Sequence, residues 1–270
     1  MPAVRLLPLM LAAVFLPVQA AGLCPPRPLR VALYEAGSLY FDGKGVDKDL
    51  VDELQRRTGC AVDAKPLPRV RAYVWLETGE IDIVMAAVPN PKRDAYAYFV
   101  PYMQQRFLTV MRNDVPPEKS SLSAFSADRA LRFGAVRGVN YGGGRDTAYA
   151  RLEAEHRLEL GATLQTVFRM LKSRRFSAMY AIPLQYEKEL ADMGMAGEVR
   201  IVDWFPDEPP TLRCLAFARR NFTPEQVREW GEVLQAMQTD GSMRRILARY
   251  LSPAEAAKAV LPQPRPAALQ

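Results

Sequence analysis

The side chains best suited to covalent or metal chemistry are three cysteines, Cys24, Cys60 and Cys214, and a single histidine, His156. They are too few soft ligands for a zinc site built from Cys and His, and no HExxH, CxxC or GxxxxGK[ST] spacing occurs, so metallohydrolase and P-loop chemistry drop out. Cys214 lies in the apolar run Leu212 to Ala218 and reads as a buried, inert thiol rather than a nucleophile. Cys24 and Cys60 each stand just before a short apolar segment, Leu29-Arg30-Val31-Ala32-Leu33 and Ala61-Val62-Asp63-Ala64. If these segments are neighbouring strands, the two sulfurs start side by side. Closing that loop would contribute about 3 to 4 kcal/mol by the chain-entropy argument.

Such a bond needs an oxidising compartment, and the start of the chain is consistent with one. Arg5, an apolar run from Leu6 to Val18, and Val18-Gln19-Ala20 as a small-residue cleavage signal read as a secretory signal peptide over residues 1–20. Pro8 and Pro17 interrupt a run too short for a membrane anchor. Cys24 follows Leu23, where a lipid-modified cysteine wants Gly, Ala or Ser. The mature chain is expected to start near Ala21 and to be exported and soluble.

The elements that would position a site are those of an ordinary globular chain. A hydrophobic share of 49% over 270 residues supports at least one sizeable core. The charge of +6 comes from 36 Lys+Arg against 30 Asp+Glu spread along the chain, with no basic arm of the kind that tracks nucleic acid. Strand-like and helix-like segments alternate: a strand at 29–34, a helix at 47–57 stopped by Gly59, a strand near 61–66, a helix near 69–78 stopped by Gly79, a strand at 81–87, and a long strand at 107–112. The rhythm restarts beyond a polar connector at 113–123, with strands at 132–136 and 177–181 and helices at 146–155, 163–172 and 184–192. A strand at 212–218 then leads to two capped helices, the first opened by the capping box Thr223-Pro224-Glu225-Gln226. This predicts an α/β protein of two similar lobes, each a mostly parallel sheet flanked by helices.

Four passages carry a family resemblance. Leu29 to Leu33 looks like a first strand, and Gly45-Val46-Asp47-Lys48-Asp49-Leu50 is similar to a "G-[FVI]-D-x-D-L" helix start. Gly79-Glu80-Ile81-Asp82-Ile83-Val84-Met85 resembles "G-E-x-D-x-[VIL]", and Asn90-Pro91-Lys92-Arg93 with Phe99-Val100-Pro101-Tyr102 resembles "T-x-x-R … F-S-x-P-Y". In this order the chain resembles the bacterial extracellular solute-binding proteins of family 3, the periplasmic polar amino-acid-binding subunits of ABC importers. The resemblance implies a type II periplasmic-binding-protein fold, with lobe 1 at 24–109 and 214–252, lobe 2 at 110–213, two crossing strands between them, and a loose Ala/Pro-rich tail at 253–270. It also implies hinge closure around a small-molecule ligand, an ABC permease as partner, no cofactor, no nucleic acid and a monomeric state.

Arg93 matches the arginine whose planar guanidinium forks onto the ligand's carboxylate in this family; the plainer alternative is a surface arginine beside Asp94. Arg71, in Pro68-Arg69-Val70-Arg71, matches a "P-W-x-R" passage and either faces the cleft or is a solvated helix-face arginine. Arg137-Gly138-Val139-Asn140-Tyr141 resembles a turn whose N–H groups, near Asn140 and Tyr141, receive an anion; Gly142 to Gly144 could equally be a plain flexible turn. Tyr34, Tyr40, Phe41 and Tyr141 either wall the cleft or belong to the core. Two departures stand out. Ala86 and Val88 replace the family's hydroxyl pair, and Ile182-Pro183 stands where amino-acid binders place an aspartate for the ligand ammonium. An α-amino acid held in the usual way then needs a carboxylate from elsewhere, for which Glu35 and Asp207 are candidates.

The leading expectation is capture of a small polar or anionic organic solute for an ABC permease. The alternatives are a cyclohexadienyl-dehydratase-like lyase, for which Glu35 is the one acid to nominate, and a free-standing sensor for a membrane receptor. The cysteine reading is tested by intact-mass analysis with thiol labelling under denaturing, non-reducing conditions. One reactive cysteine is expected, and three would refute the pairing.

Overall fold

The computed structural model describes residues 22–262; the expected leader at 1–20 and the last residues of the expected tail, 263–270, lie outside the described residues. In chain order the elements are β1 (Leu29–Leu33), α1 (Val46–Thr58), β2 (Val62–Pro66), α2 (Arg69–Thr78), β3 (Ile83–Ala87), α3 (Pro91–Asp94), β4 (Ala97–Gln105), β5 (Leu108–Arg112), α4 (Leu122–Ala127), β6 (Phe133–Val136), α5 (Gly144–Ala154), β7 (Leu158–Gly161), α6 (Leu164–Lys172), β8 (Ala178–Ala181), α7 (Pro183–Asp192), β9 (Val199–Val202), β10 (Thr211–Ala218), α8 (Pro224–Thr239), α9 (Ser242–Leu247) and α10 (Pro253–Ala259), with a 3-10 turn at Pro117–Lys119.

Two five-stranded sheets result, in the orders β2-β1-β3-β10-β4 and β7-β6-β8-β5-β9. In each, the βαβ strands pair in parallel and the crossing strands pair antiparallel: β1 with β2 and β3, β6 with β7 and β8, against β10 with β3 and β4 and β5 with β8 and β9. The chain leaves the first sheet at Gln105 and joins the second at Leu108, so Arg106 and Phe107 form one crossing. It returns between Val202 and Thr211, and Thr211 pairs directly with Gln105.

Local chemistry accounts for the helices. In α1 the stripe Val46, Leu50, Val51 and Leu54 is buried, and Gly59 ends the helix in the left-handed region at φ 71°, which favours glycine. The Thr223 hydroxyl accepts from the Gln226 N–H while the Gln226 carboxamide oxygen accepts from the Thr223 N–H. One element departs from expectation. Residues 253–259 are not a loose tail: the Ser252 hydroxyl accepts from the Glu255 N–H, Pro253 takes the first helical position, and Ala256 and Ala259 are buried. Small side chains let this helix seat on β4, where the Gln104 amide donates to the Lys258 carbonyl at 3.2 Å. β4 carries Pro101 and still forms a nine-residue strand, because it lies at the sheet edge and the ladder shifts register opposite it, between Arg213 and Cys214.

Cys24 and Cys60 are disulfide-bonded, at the point where β1 and β2 begin in parallel register. Cys214 is free and buried within β10, and burial pushes its thiol up to about 12. The most densely hydrogen-bonded acid is Asp82, just before β3 and 1% exposed. Its carboxylate accepts from both terminal nitrogens of Arg27, from the Arg30 backbone and guanidinium, and from Asn221 at 2.6 Å. Burial works to raise its pKa, but the hydrogen bonds from Arg27 and Arg30 prevail and hold it well below the usual carboxylate range.

Asp82→Ala should therefore cost about 3 kcal/mol, the low end for a buried ion pair because Arg27 and Arg30 are partly exposed. In the wild type this stabilisation is present above the unfolded-state pKa of about 3.9 and is lost as pH falls further. Urea unfolding at neutral pH and near pH 3 checks both points; a loss below about 0.5 kcal/mol at neutral pH would show that the cluster is a surface ornament.

Candidate functional site

The seam between the lobes is built from arginines and aromatic rings. On the first-lobe side, Arg69 opens α2 and is buried. It donates to the carbonyls of Met85, at 3.0 Å, and Ala86. Its guanidinium lies over the Tyr34 ring, 4.3 Å from the centroid, and 5.4 Å from that of Tyr73. Arg93 is held by α3, where the Asn90 side chain accepts from the Arg93 N–H at 2.9 Å. Its guanidinium sits 3.7 Å from the Tyr73 centroid, donates to the Val88 carbonyl at 2.9 Å, and reaches the Gly138 carbonyl of the second lobe at 3.2 Å. Arg213, on β10 and 1% exposed, donates to the Ala86 carbonyl at 3.4 Å and lies 4.5 Å from the Phe107 centroid. Ala86 thus serves two guanidiniums from a left-handed conformation, φ 50°, that a β-carbon makes costly.

Arg213 Nε and Nη2, Tyr34 Oη and Tyr73 Oη are buried with no hydrogen-bond partner among the described residues. Burial, then the neighbouring Arg69, brings Arg213 down to about 10. The same two causes, joined by opposing contributions from Tyr73 and Tyr96, lower Arg93. The acid of this region is Asp47, fully buried in α1. It accepts from the Tyr102 hydroxyl at 2.6 Å, and burial pushes its carboxyl up to about 7 against the pull of that bond and of Arg69 and Arg213.

The second lobe contributes Tyr141, edge-on to Phe107 with centroids 5.0 Å apart and to Tyr180 at 5.1 Å. In the turn before α5, expected to receive an anion near Asn140 and Tyr141, the N–H groups of Tyr141, Gly142 and Gly144 are already taken by the chain's own carboxylates. Asp146 accepts from the Tyr141 and Gly142 N–H groups at 2.8 and 3.1 Å, and Glu208 accepts from the Gly144 N–H at 2.8 Å. A carboxylate of the chain already occupies the position an anion would take, because Asp146 lies in the first turn of α5. Glu208 also pairs with the buried Arg145 at 2.8 Å.

Of the residues singled out from sequence, Arg93, Tyr34 and Tyr141 come together at the seam. Asn140 and Tyr40 are half-buried. Arg71 is exposed, 5.7 Å from the Trp75 centroid, and Glu35 and Asp207 are exposed, so none of the three belongs to the buried cluster. Arg69 takes the place expected of Arg71: two residues along a helix turn a side chain by about 200°, so only one of the pair can face inward. Ile182 is fully buried, its N–H donating to the Gln185 carboxamide at 3.3 Å, and it brings no carboxylate. Sequence reading missed Arg69 and Arg213. The signal for Arg213 was a lone charge in an apolar run, a run that is buried from Arg213 onward while Leu212 remains 41% exposed.

The lobes are closed on each other. Besides Arg93 to Gly138, the Ser38 N–H donates to the Leu184 carbonyl at 2.6 Å, the Thr211 hydroxyl donates to the Tyr141 carbonyl at 3.3 Å, and the Lys188 ammonium lies 4.5 Å from the Phe41 centroid.

The family model of bacterial extracellular solute-binding proteins, family 3, matches residues 38–253. A search of curated protein sequences finds no match. Among solved structures the chain is similar to an ancestral amino acid-binding protein described as a precursor of cyclohexadienyl dehydratase, at 20% identity and TM-score 0.66, covering 83% of this chain and 95% of that one. It is also similar to the arginine-, lysine-, histidine-binding protein ArtJ of Geobacillus stearothermophilus, at 14% identity and TM-score 0.68, covering 83% and 95%. A histidine kinase sensor domain with similarity to periplasmic binding proteins matches at 16% identity and TM-score 0.70, covering 87% and 98%. At these identities the likeness is one of fold.

Closure has a steric test. Gly37 stands at φ 57°, and a β-carbon there would lie 2.4 Å from the Leu184 carbonyl oxygen across the seam. Gly37→Ala should hold the lobes apart while each lobe folds. Small-angle scattering should give a larger radius of gyration than the wild type, with unchanged circular dichroism; equal radii would show that this contact does not set the closure.

Proposed function

The chain belongs to the bacterial extracellular solute-binding proteins of family 3, and from that premise we propose that it is a periplasmic binding protein that captures a small organic anion between its lobes and presents it to an ABC permease. One observation carries the anionic choice. Arg69, Arg93 and Arg213 are buried at the seam and donate to backbone carbonyls rather than to carboxylates. Buried cations without a hydrogen-bonded carboxylate are costly, and a bound anion offsets that cost.

The same cluster argues against the cationic amino acids that some neighbours' names state they bind, because a ligand ammonium or guanidinium would add to three like charges. Ile182 supports this, since it leaves an α-ammonium without its usual partner. The closed contacts at Gly37, Ser38 and Gly138 support capture by hinge motion. The lyase alternative finds no support here, because Glu35, the acid it relied on, is exposed. Export to the periplasm is inferred from the leader and fits the Cys24–Cys60 bond.

The test is a thermal-shift screen of the mature protein against carboxylates, amino acids and their desamino analogues, since a ligand bound only by the native state raises the unfolding temperature. Carboxylates without an ammonium should give the largest shifts, and Arg93→Ala should abolish them while leaving the unliganded protein folded. Micromolar binding of an ordinary neutral or cationic amino acid, with loss of affinity for its desamino analogue, would overturn the proposal.

A further inference from the structure

Arg93 alone would suffice to hold one carboxylate, yet the first lobe buries two more guanidiniums beside it. We infer that Arg213, with Arg69 and the Tyr34 and Tyr73 hydroxyls, forms a second anion-binding point, and that the ligand is a short dicarboxylate bridging this point and Arg93. The inference rests on the reading of the cleft as an anion site and narrows it to dianions.

Geometry supplies the argument. Arg213 Nη1 faces the Ala86 carbonyl, while Nε and Nη2 have no partner among the described residues. Those two nitrogens form the side-on edge of a guanidinium, the pair of parallel donors that meets both oxygens of one carboxylate. Tyr34 Oη and Tyr73 Oη are likewise buried and unpartnered, and either can donate to the same anion. The two points are neighbours. Arg69 and Arg93 both lie against the Tyr73 ring, and Arg69 and Arg213 share the Ala86 carbonyl.

At this point no carboxylate among the described residues hydrogen-bonds to Arg69 or Arg213. Asp47 is the acid that faces it, but its Oδ1 accepts from the Tyr102 hydroxyl and its Oδ2 has no partner. The contrast with Arg145 is direct: that arginine is as deeply buried, and it has Glu208 at 2.8 Å. Arg213 is buried to the same degree and has only a carbonyl and an aromatic ring. A dianion would also be attracted by both sites at once, whereas a monoanion leaves one of them uncompensated.

The experiment is calorimetric titration of the full exported protein with the dicarboxylate series from malonate to adipate, each compared with its own monoamide. For the best-fitting length, the dicarboxylate should bind at least about 30-fold more tightly than the monoamide, the loss expected when one partner of a buried charge pair is removed. Arg213→Lys keeps the charge but removes the fork, and should erase most of that preference while monoamide binding, held by Arg93, persists. The comparison of ligands on the wild type stands even if the variant does not fold. Equal affinity for dicarboxylate and monoamide, both lost in Arg93→Gln, would overturn the second point and leave the anion reading intact. Binding of neither, together with binding of a neutral or cationic amino acid, would overturn both.

Discussion

Pairing of β10 with β4 along Thr211–Ala218 and Ala97–Gln105 is the constraint from which the rest of the structure follows. Because Thr211 lies opposite Gln105, the outward crossing at Arg106-Phe107 and the returning chain run side by side between the lobes. The same ladder determines which side chains reach the seam. Arg213 is buried against Phe107, Phe107 meets the Tyr141 ring of the second lobe edge-on, and Tyr141 in turn meets Tyr180. Helix α10 packs against β4, so the chain that follows α9 reinforces the strand that leads into the crossing.

The two lobes handle buried charge differently. In the second lobe the donors that border the seam meet carboxylates of the chain: Asp146 at the Tyr141 turn, Glu208 at Gly144 and Arg145. Asp82 does the same for Arg27 and Arg30 at the far side of the first lobe. At the seam the first lobe instead leaves Arg69, Arg93 and Arg213 facing carbonyls and rings, with Asp47 near but buried toward its neutral form. Fully satisfied ion pairs stabilise a fold, whereas unpaired buried cations favour whatever anion reaches them. The asymmetry is what the proposed anion site rests on.

Much of the architecture was legible because it rests on local rules. Gly59 and Gly79 end helices, Thr223 with Gln226 starts one, and apolar stripes face the sheets, so the α/β rhythm and the Cys24–Cys60 pairing follow from short-range pattern and compartment. Where local pattern was weak, the reading failed. β7 and β9 are four-residue strands with exposed positions, and residues 253–259 hide a helix in an Ala/Pro-rich composition that becomes ordered only by packing on β4.

The site divides along the same line. Sequence by itself determined that Arg93 sits at a helix start beside Asp94, that Ile182 stands after β8 without a carboxylate, and that Cys214 is buried, because each depends on neighbours within a few residues. Tertiary structure alone decided that Arg69 rather than Arg71 faces inward, that Asp146 fills the turn at Tyr141, and that Arg213 joins Arg69 at the Ala86 carbonyl. Arg69 and Arg213 are separated by more than half the chain, and which groups share a carbonyl or lack a counter-charge is set by strand register and lobe closure, which no local pattern of residues encodes.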